Sequence, residues 1–544
     1  MVFAYHTRSK HRPERYAAGP ETLDWTEQPN PFREFAGSPR IPLPLRARHI
    51  DLQFAKLHDA QAIAPHALSL ESVGALLELS LGLSAWKEHG PDRWALRCNP
   101  SSGNLHPTEA YVLCSHVSDL GDGLYHYVSR DHTLEQRCVP DRAPTHQSDG
   151  ALWIGLSSVH WREAWKYGER AFRYCQLDIG HALGALRYAA AVLGWSLRVV
   201  ESCDDATLAR LLGLDRDEDF SGVERETPDL LMTLIPTATP SRSQREAAAR
   251  AVPAPAQSDW RGRANRLDPH PMYRWPVIDE VAAATVALPR KKSTSVEISY
   301  RRYPQLQPAG TAAAVDVIRN RRSAQQFDRK FTMDAGAFFH LLDCVLTRPA
   351  PPWDLWRHTP RVHPLIFVHR VQGLAPGLYA LPRRPDAELP LRNSLHRDFL
   401  WRRVENAPEH LPLFQLFLGD CRPIAKTLSC HQAIASDSSF SLAMLAEFET
   451  LVAQEPWRYR QLYWEAGLIG HTLYLGAEAM GLRGTGIGCY FDDAVHDALG
   501  LQGERYQSLY HFTVGRALTD ERIRTTPPYA DRVASEPGSV DDGH

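Results

Sequence analysis

Long apolar segments are absent from this 544-residue sequence, which argues against a membrane protein. The most apolar helical stretch, residues 179–195, contains His181 and Arg187. It is also shorter than the roughly 20 residues that a membrane-spanning helix needs. Residues 1–16 contain no apolar core of the kind that marks a secretory signal. We therefore expect a soluble cytoplasmic protein with no membrane partner.

A strong excess of one charge is missing as well, because the formal net charge is only −3. So small a charge gives no overall attraction to nucleic acid, and we expect no nucleic-acid partner. The nine cysteines are scattered and form no CxxC pair, which argues against a disulfide framework and a structural zinc site, so we predict no metal. HExxH, GxSxG and P-loop patterns are also absent.

The length and composition that are present predict several domains. A chain of 544 residues exceeds what one core usually organises. A stretch rich in Pro, Ala and Ser separates two ordinary globular halves, and part of it, residues 242–251, is expected to be helical. We predict a domain over residues 1–235, a linker over 236–300, a domain over 301–525, and a poorly ordered tail over 526–544.

The two halves resemble each other in sequence, which indicates a duplicated domain. The shared features are His106-Pro107 with His363-Pro364, Gly123-Leu124-Tyr125 with Gly377-Leu378-Tyr379, Asp178 and Gly180 with Glu465 and Gly467, and Gly194 with Gly481. Strand-like runs alternate with helical ones, so we predict a mixed α+β fold built from two tandem domains.

One long helix is expected in each half, at residues near 178–194 and 465–481. Ile179, Leu183 and Leu186 follow helical spacing and form an apolar stripe. We expect Asp178 and Glu465 in the first turns of their helices, where a carboxylate favours the positive end of the helix dipole, and Gly194 and Gly481 at the C-caps. These helices are predicted to pack in the core or at an interface between the halves.

Three motifs are unequally divided between the halves. The first half alone has a turn of small polar residues, Pro100-Ser101-Ser102-Gly103-Asn104, while the second alone has Arg321-Arg322-Ser323 and Gly484-Thr485-Gly486-Ile487-Gly488. Adjacent arginines suit a phosphate, and a glycine-rich backbone can approach a ligand closely. Each motif also has a purely structural interpretation. The first could be a turn bonded to itself, the arginine motif a solvated helix end, and the glycine-rich motif a flexible turn. Together they suit a planar polar ring, a polyol chain and one phosphate.

These motifs resemble those of the nitroreductase superfamily of flavin enzymes. Within it, the chain resembles fused two-copy SagB-type dehydrogenases, the azoline oxidases of thiazole and oxazole peptide biosynthesis. The similarity rests on YHTRSKHRPERY, on PSSGN with KYGERAFRYCQLDIGH in the first half, and on RRSAQQF and GTGIG…VGR in the second. It implies two nitroreductase-fold domains that form an internal pseudo-dimer, with FMN in a cleft between them.

The resemblance also implies roles for individual residues. Pro100, Ser101, Ser102 and Asn104 would contact the flavin ring and ribityl hydroxyls; Arg321, Arg322 and Ser323 would bind the phosphate with help from Arg516; and the backbone of Thr485, Gly486, Ile487 and Gly488 would face the ring. The position two after Ser323 is usually basic in the family, whereas here it is Gln325. A second, symmetry-related cleft would need the turn motif from the second half and the arginine motif from the first half. Both are missing, so one FMN per chain is expected.

For catalysis, the resemblance points to Lys166 and Tyr167, a pair thought to remove a substrate proton while flavin accepts hydride. Both could instead be packing or surface residues. Cys489 beside the glycine-rich motif could approach the flavin, or could simply be a small buried residue. The leading function is an FMN-dependent oxidoreductase acting on a small molecule or an azoline of a modified peptide. The alternatives are an NAD(P)H-dependent nitro or quinone reductase and a non-catalytic flavin-binding scaffold.

Overall fold

The computed structural model describes residues 1–59, 63–139, 150–248, 250, 252–253, 259–289, 303–306, 310–355 and 358–533. Its helices are α1 Val2–Arg8, α2 Leu70–Ser80, α3 His160–Tyr167, α4 Ala171–Val192, α5 Asp205–Leu212, α6 Arg242–Ala248, α7 Pro276–Ala284, α8 Ala314–Asn320, α9 Ala335–Cys344, α10 Glu388–Ser394, α11 Arg422–Leu428, α12 Ala433–Asp437, α13 Glu449–Gln454, α14 Arg458–Ala479, α15 Asp492–Leu499 and α16 Ala530–Val533. Across these described ranges no helix combines the length and the apolar character needed to cross a membrane.

The strands are β1 Phe35–Ala36, β2 Arg40–Pro42, β3 Leu83–His89, β4 Asp92–Arg97, β5 Thr108–Ser115, β6 Gly123–Val128, β7 Thr133–Cys138, β8 Ala151–Ser158, β9 Ser196–Val199, β10 Thr227–Ile235, β11 Arg263–Ala264, β12 Val362–Val368, β13 Gly377–Ala380, β14 Arg402–Arg403, β15 Phe414–Leu418, β16 Phe440–Glu447, β17 Arg483–Ile487, β18 Tyr506–Gly515 and β19 Arg524–Thr526.

Each half contains one seven-stranded sheet, and the two sheets share one plan. The first runs β2-β7-β6-β5-β8-β10-β9 and the second β14-β15-β13-β12-β16-β18-β17. Neighbouring strands pair antiparallel in both. Equivalent strands occupy equivalent places, so the predicted mixed α+β fold with two tandem domains is confirmed.

Helices α4 and α14 pack against each other between the sheets. Gly180 of α4 and Gly467 of α14 meet where the helices cross, and a Cβ atom on either would collide with the backbone of the other helix. Glycine is therefore required there by the close approach of two backbones. Nearly every residue of both helices is buried, as expected for the centre of an internal pseudo-dimer.

The prediction that Asp178 and Glu465 lie in first helical turns is wrong. Helix α4 begins at Ala171 and α14 at Arg458, so each carboxylate lies seven residues further along. Neither helix has a side-chain N-cap that could have marked its start in the sequence. Gly194 and Gly481 do follow the ends of their helices with a left-handed φ of 68°.

Much of the predicted linker belongs to the fold of the first half. Strand β11 pairs with β1, and α7 buries Val277, Ile278 and Val281. Those three residues share one helical face, which overall composition does not reveal. The predicted helix near residue 242 is present as α6, while residues 290–300 lie outside the described ranges.

The start of the predicted disordered tail is also ordered, which corrects that expectation. Strand β19 pairs with β3 of the first half, and Tyr529 is 6% exposed, with its hydroxyl donating to the carbonyl of Ser129 at 2.8 Å. At the other end of the chain, the backbone N–H of His11 donates to Asp492 at 3.0 Å in the second half. Each terminal segment therefore packs on the opposite half.

Candidate functional site

A cavity of about 500 Å³ lies between the two halves. Its volume is within the range of small-molecule and cofactor sites. It brings together all three motifs that the sequence separated by hundreds of residues. Of the predicted residues, its lining includes Pro100, Ser101, Ser102, Asn104, Tyr167, Arg321, Arg322, Ser323, Thr485, Gly486, Ile487 and Gly488.

The turn at residues 100–104 is held by bonds within the protein. The backbone N–H of His106 donates to Ser101 Oγ at 2.8 Å, and Asn104 Nδ2 donates to the carbonyl of Ala95 at 2.9 Å. Gly103 and Asn104 are left-handed, with φ of 59° and 61°. The structural interpretation of this motif is therefore correct in part. Its polar groups stabilise the turn through hydrogen bonds within the protein, and the same turn lines the cavity.

Asp178 of α4 binds this turn through two hydrogen bonds to Ser102. It accepts hydrogen bonds from the backbone N–H of Ser102 at 3.0 Å and from Ser102 Oγ at 3.1 Å. Burial raises the pKa of the Asp178 carboxyl to about 7. Nearby Glu163 is also fully buried, and burial followed by the charge of Asp178 raises its pKa well above the ordinary value. Asp178, which lines the cavity, and Glu163 behind it therefore both hold protons more tightly than usual.

Part of the cavity lining is rich in positive charge. Lys87, Arg321, Arg322 and Arg483 line it together. Arg321 donates to the carbonyls of Cys98 at 3.1 Å and Arg97 at 3.0 Å, and its guanidinium lies 5.1 Å from the centre of the Tyr474 ring. Burial lowers the pKa of Arg322 to about 10.

These cations have few acidic neighbours. Arg483 lies 3.6 Å from Glu478, and no described acidic side chain forms an ion pair with Lys87, Arg321 or Arg322. Removing unpaired cations from water is costly, so a bound anion would stabilise this arrangement. A phosphate group is the kind of anion that such a cluster fits best.

The glycine-rich motif is a strand and not the turn that the sequence suggested. Residues 483–487 form the edge strand β17, which pairs with β18. A Cβ on Gly486 would collide with Tyr510, and one on Gly488 with Tyr174. These glycines therefore allow two tyrosine rings to pack beneath the strand, while the strand itself forms a cavity wall.

Lys166 and Tyr167 end α3 at the rim of the turn. Tyr167 lines the cavity and its ring centre lies 4.5 Å from that of Tyr174. Lys166 is not part of the lining: its ammonium lies behind Gly103, 4.9 Å from the centre of the Trp25 ring. Burial lowers the pKa of Lys166 and raises that of Tyr167 well above the usual range.

Arg516 does not contact the cavity, which contradicts its predicted assisting role. It is exposed, and its guanidinium lies 4.0 Å from the centre of the Phe331 ring. Arg516 follows the last residue of β18, and its side chain leaves the sheet on the solvent side. Lys87, Arg483 and Tyr474 line the site instead. Sequence reasoning missed them because Lys87 and Tyr474 lie in no motif, although Arg483 directly precedes the glycine-rich one.

The mirror-related position is filled by side chains. The alignment of the halves places Arg187 opposite Tyr474 and Arg198 opposite Thr485. Arg187 forms a buried ion pair with Asp354 at 2.7 Å, and Arg198 donates to the backbone carbonyl of Asp354. Beside them, Arg383 packs 4.5 Å from the centre of the Trp353 ring. Buried arginines with partners in the protein thus stand where the other half has the cavity-lining Tyr474 and Thr485.

Comparisons with known proteins show what the chain resembles. Residues 430–516 match the model of the nitroreductase family. A protein of Methanocaldococcus jannaschii described as a nitroreductase is 25% identical over 114 residues, which are 19% of this chain and 57% of that protein. The match therefore spans little more than half of the length of that relative.

Solved structures extend the likeness to the whole chain. A crystal structure from Anabaena variabilis, described as a nitroreductase, covers 95% of this chain and 99% of its own with a TM-score of 0.65 and 22% identity. The chain therefore has the nitroreductase fold over nearly all of its length. The E. coli microcin synthetase McbBCD with truncated pro-MccB17 covers 37% of this chain and 70% of its own at 14% identity, with a TM-score of 0.27.

Proposed function

We propose that this chain, which has the nitroreductase fold, binds one FMN in the cavity between its halves and acts as an oxidoreductase. The observation that carries the proposal is the meeting of the Ser101–Asn104 turn with the Arg321–Arg322 pair in one cavity. Neither half contains both parts, so the site exists only where the halves meet.

The residues present fit the chemistry of FMN. Lys87, Arg321, Arg322 and Arg483 would hold the phosphate, because they line one cavity and, among the described residues, only Arg483 of the four has an acidic side chain within ion-pair distance. Tyr174 and Tyr510 supply aromatic surface beneath β17, where a flat ring would lie. The turn and Asp178 would border the polar edge of the ring or the ribityl chain.

When bound, FMN would supply the site that accepts or gives a hydride. The protein must then move a proton at the substrate. Tyr167 stays a neutral phenol because burial raises its pKa, so it is not itself the base, but its hydroxyl can relay a substrate proton from the cavity to Lys166. Lys166 has a lowered pKa and lies behind Gly103, from where it would act through Tyr167 or after a small movement of the turn.

We further propose that the substrate belongs to the azoline class of modified peptides. The placement of Tyr167 in the cavity, with Lys166 next to it in sequence, favours proton removal coupled to hydride transfer. The competing proposal is reduction of a nitro or quinone compound by NAD(P)H. A scaffold without activity is the third.

The first experiment measures the ratio of flavin to purified protein, for which we expect one FMN per chain. Arg321→Ala should weaken FMN binding more than Lys166→Ala, because only Arg321 would contact phosphate. Equal loss of flavin in the two variants, or a colourless protein that does not take up added FMN, would contradict the proposal.

A second experiment separates the candidate activities. Anaerobic stopped-flow mixing with NADPH should leave the flavin oxidised if the chain is an azoline oxidase, whereas rapid bleaching would favour a nitro or quinone reductase. Flavin binding without turnover of either substrate class would favour the scaffold.

A further inference from the structure

Two cysteines meet at the wall of the cavity. Cys489 lines the cavity two residues after the end of β17, and its Sγ lies 2.6 Å from Sγ of Cys430. Cys430 belongs to the segment between α11 and α12, 59 residues earlier in the chain. Both side chains are partly exposed, whereas six of the other seven cysteines are buried. This pair is therefore the place where two thiols are both adjacent and accessible.

The backbone around Cys430 is held in an uncommon conformation. Cys430 and His431 have φ of 52° and 60°, in the left-handed region that non-glycine residues seldom adopt. Such conformations persist where the surrounding structure fixes them, and they cluster at functional positions. Here the turn brings Cys430 Sγ to Cys489, and Gln432 Nε2 donates to the carbonyl of Cys489 at 3.1 Å on the same wall.

The two thiols differ in their electrostatic surroundings. Contact with Cys430 lowers the pKa of Cys489, and the guanidinium of Arg170 acts in the same direction. That guanidinium also donates to the carbonyl of Gly488 at 3.2 Å, so it is fixed next to the Cys489 backbone. Contact with Cys489 raises the pKa of Cys430. A thiolate is the nucleophile in disulfide exchange, so Cys489 is the better attacking group.

We propose that Cys430 and Cys489 form a redox-active dithiol that is oxidised to a disulfide by small disulfide compounds. The Cys489 thiolate attacks one sulfur of the external disulfide, which forms a mixed disulfide and releases one thiol. The Cys430 sulfur then attacks Cys489 and releases the second thiol. The protein loses two protons and two electrons, and the external disulfide gains them as two thiols.

The exchange itself needs no flavin, although Cys489 lines the cavity in which we propose that FMN binds. Its product would tie the end of β17 to the segment before α12. The bond would therefore fix one wall of the cavity in a manner that depends on the thiol–disulfide balance around the protein.

The test uses the full-length protein and oxidised glutathione. After incubation, free thiols are alkylated in denaturant and the protein is mapped by mass spectrometry. Wild type should lose two thiols and yield a Cys430–Cys489 cross-link without a lasting glutathione adduct. Cys430→Ser should keep a glutathione adduct on Cys489, and Cys489→Ser should react roughly tenfold more slowly at Cys430.

Cys203→Ser is the matched control, since Cys203 is the remaining partly exposed cysteine and should leave the cross-link unchanged. Retention of both thiols in wild type under conditions that oxidise free cysteine would overturn the proposal. Cross-linking of Cys430 or Cys489 to other cysteines would also overturn it. The wild-type mapping needs no substitution, so a poorly folded variant does not affect the outcome.

Discussion

Asp178 accepts hydrogen bonds from both the backbone N–H and the side chain of Ser102, and it does so without a cationic partner among the described residues. Its counterpart in the other half, Glu465, also accepts from backbone N–H groups, those of Arg361 and Val362, but is paired with Arg383. The duplicated carboxylate thus keeps its role of holding a loop, while its charge is neutralised in only one copy.

Asp178→Asn should make stability less dependent on pH. The carboxyl has a pKa of about 7 in the folded protein, above the ordinary value for aspartate. The folded state therefore holds this proton more tightly than the unfolded state, and stability falls as pH rises from about 4 to 7. Asparagine retains the acceptor and carries no charge. Urea unfolding at pH 5 and pH 8 should show the variant gaining on wild type at the higher pH, by on the order of 3 kcal/mol.

Glu465→Gln provides the comparison for that experiment. It leaves Arg383 buried without its partner, so it should destabilise the protein at both pH values. A loss of stability in Asp178→Asn that grows between pH 5 and pH 8 would contradict the raised pKa.

Lys87→Met should weaken binding of FMN while leaving riboflavin binding nearly unchanged. Lys87 lines the cationic part of the cavity, where the phosphate is expected. Loss of one charge-assisted contact costs about 1.5–3 kcal/mol, which is roughly a tenfold to hundredfold change in FMN affinity. Fluorescence titration with both flavins measures the effect. Lys330→Met is the control, because Lys330 is exposed outside the cavity and should leave both affinities unaltered.

Arg187→Ala should destabilise the protein without creating a second flavin site. The substitution leaves the buried Asp354 without its ion-pair partner, which costs about 3–5 kcal/mol. Thermal unfolding reports the loss, and flavin content reports the stoichiometry. We expect one FMN per chain in wild type and variant alike, because Arg198, Arg383 and Trp353 still fill the position. A content approaching two would show that a single side chain closes the mirror cleft.

Gly180→Ala should disrupt the packing of α4 against α14. The added methyl group would collide with the backbone of α14, which cannot move as a flexible side chain would. Overpacking of this kind costs typically 1–3 kcal/mol or more. Denaturant unfolding measures the loss. Gly19→Ala is the control, since nothing lies within 4 Å of a Cβ at that position. Equal stability of the two variants would contradict the close helix crossing.

Sequence reasoning found the parts of the site that consist of motifs. The Ser101–Asn104 turn and the Arg321–Arg322 pair meet in the cavity as the duplication implied. It missed Lys87, because a lysine on an ordinary hairpin is indistinguishable from a solvated one until the fold brings the hairpin to the cavity. It misplaced Asp178 because α4 starts without a capping side chain. Its prediction for Arg516 was wrong because the sequence shows only that this residue follows strand β18. The direction of a side chain at the end of a strand is set by packing, and Arg516 packs against Phe331 outside the cavity.

The ion pair of Arg187 with Asp354 illustrates what fusion of two copies into one gene permits. In a symmetric assembly of identical subunits, every substitution appears at both clefts, so closing one would close the other. A fused chain inherits each position separately. The two equivalent places can therefore differ, with a buried ion pair at Arg187 in the first half and a cavity lined by Tyr474 in the second.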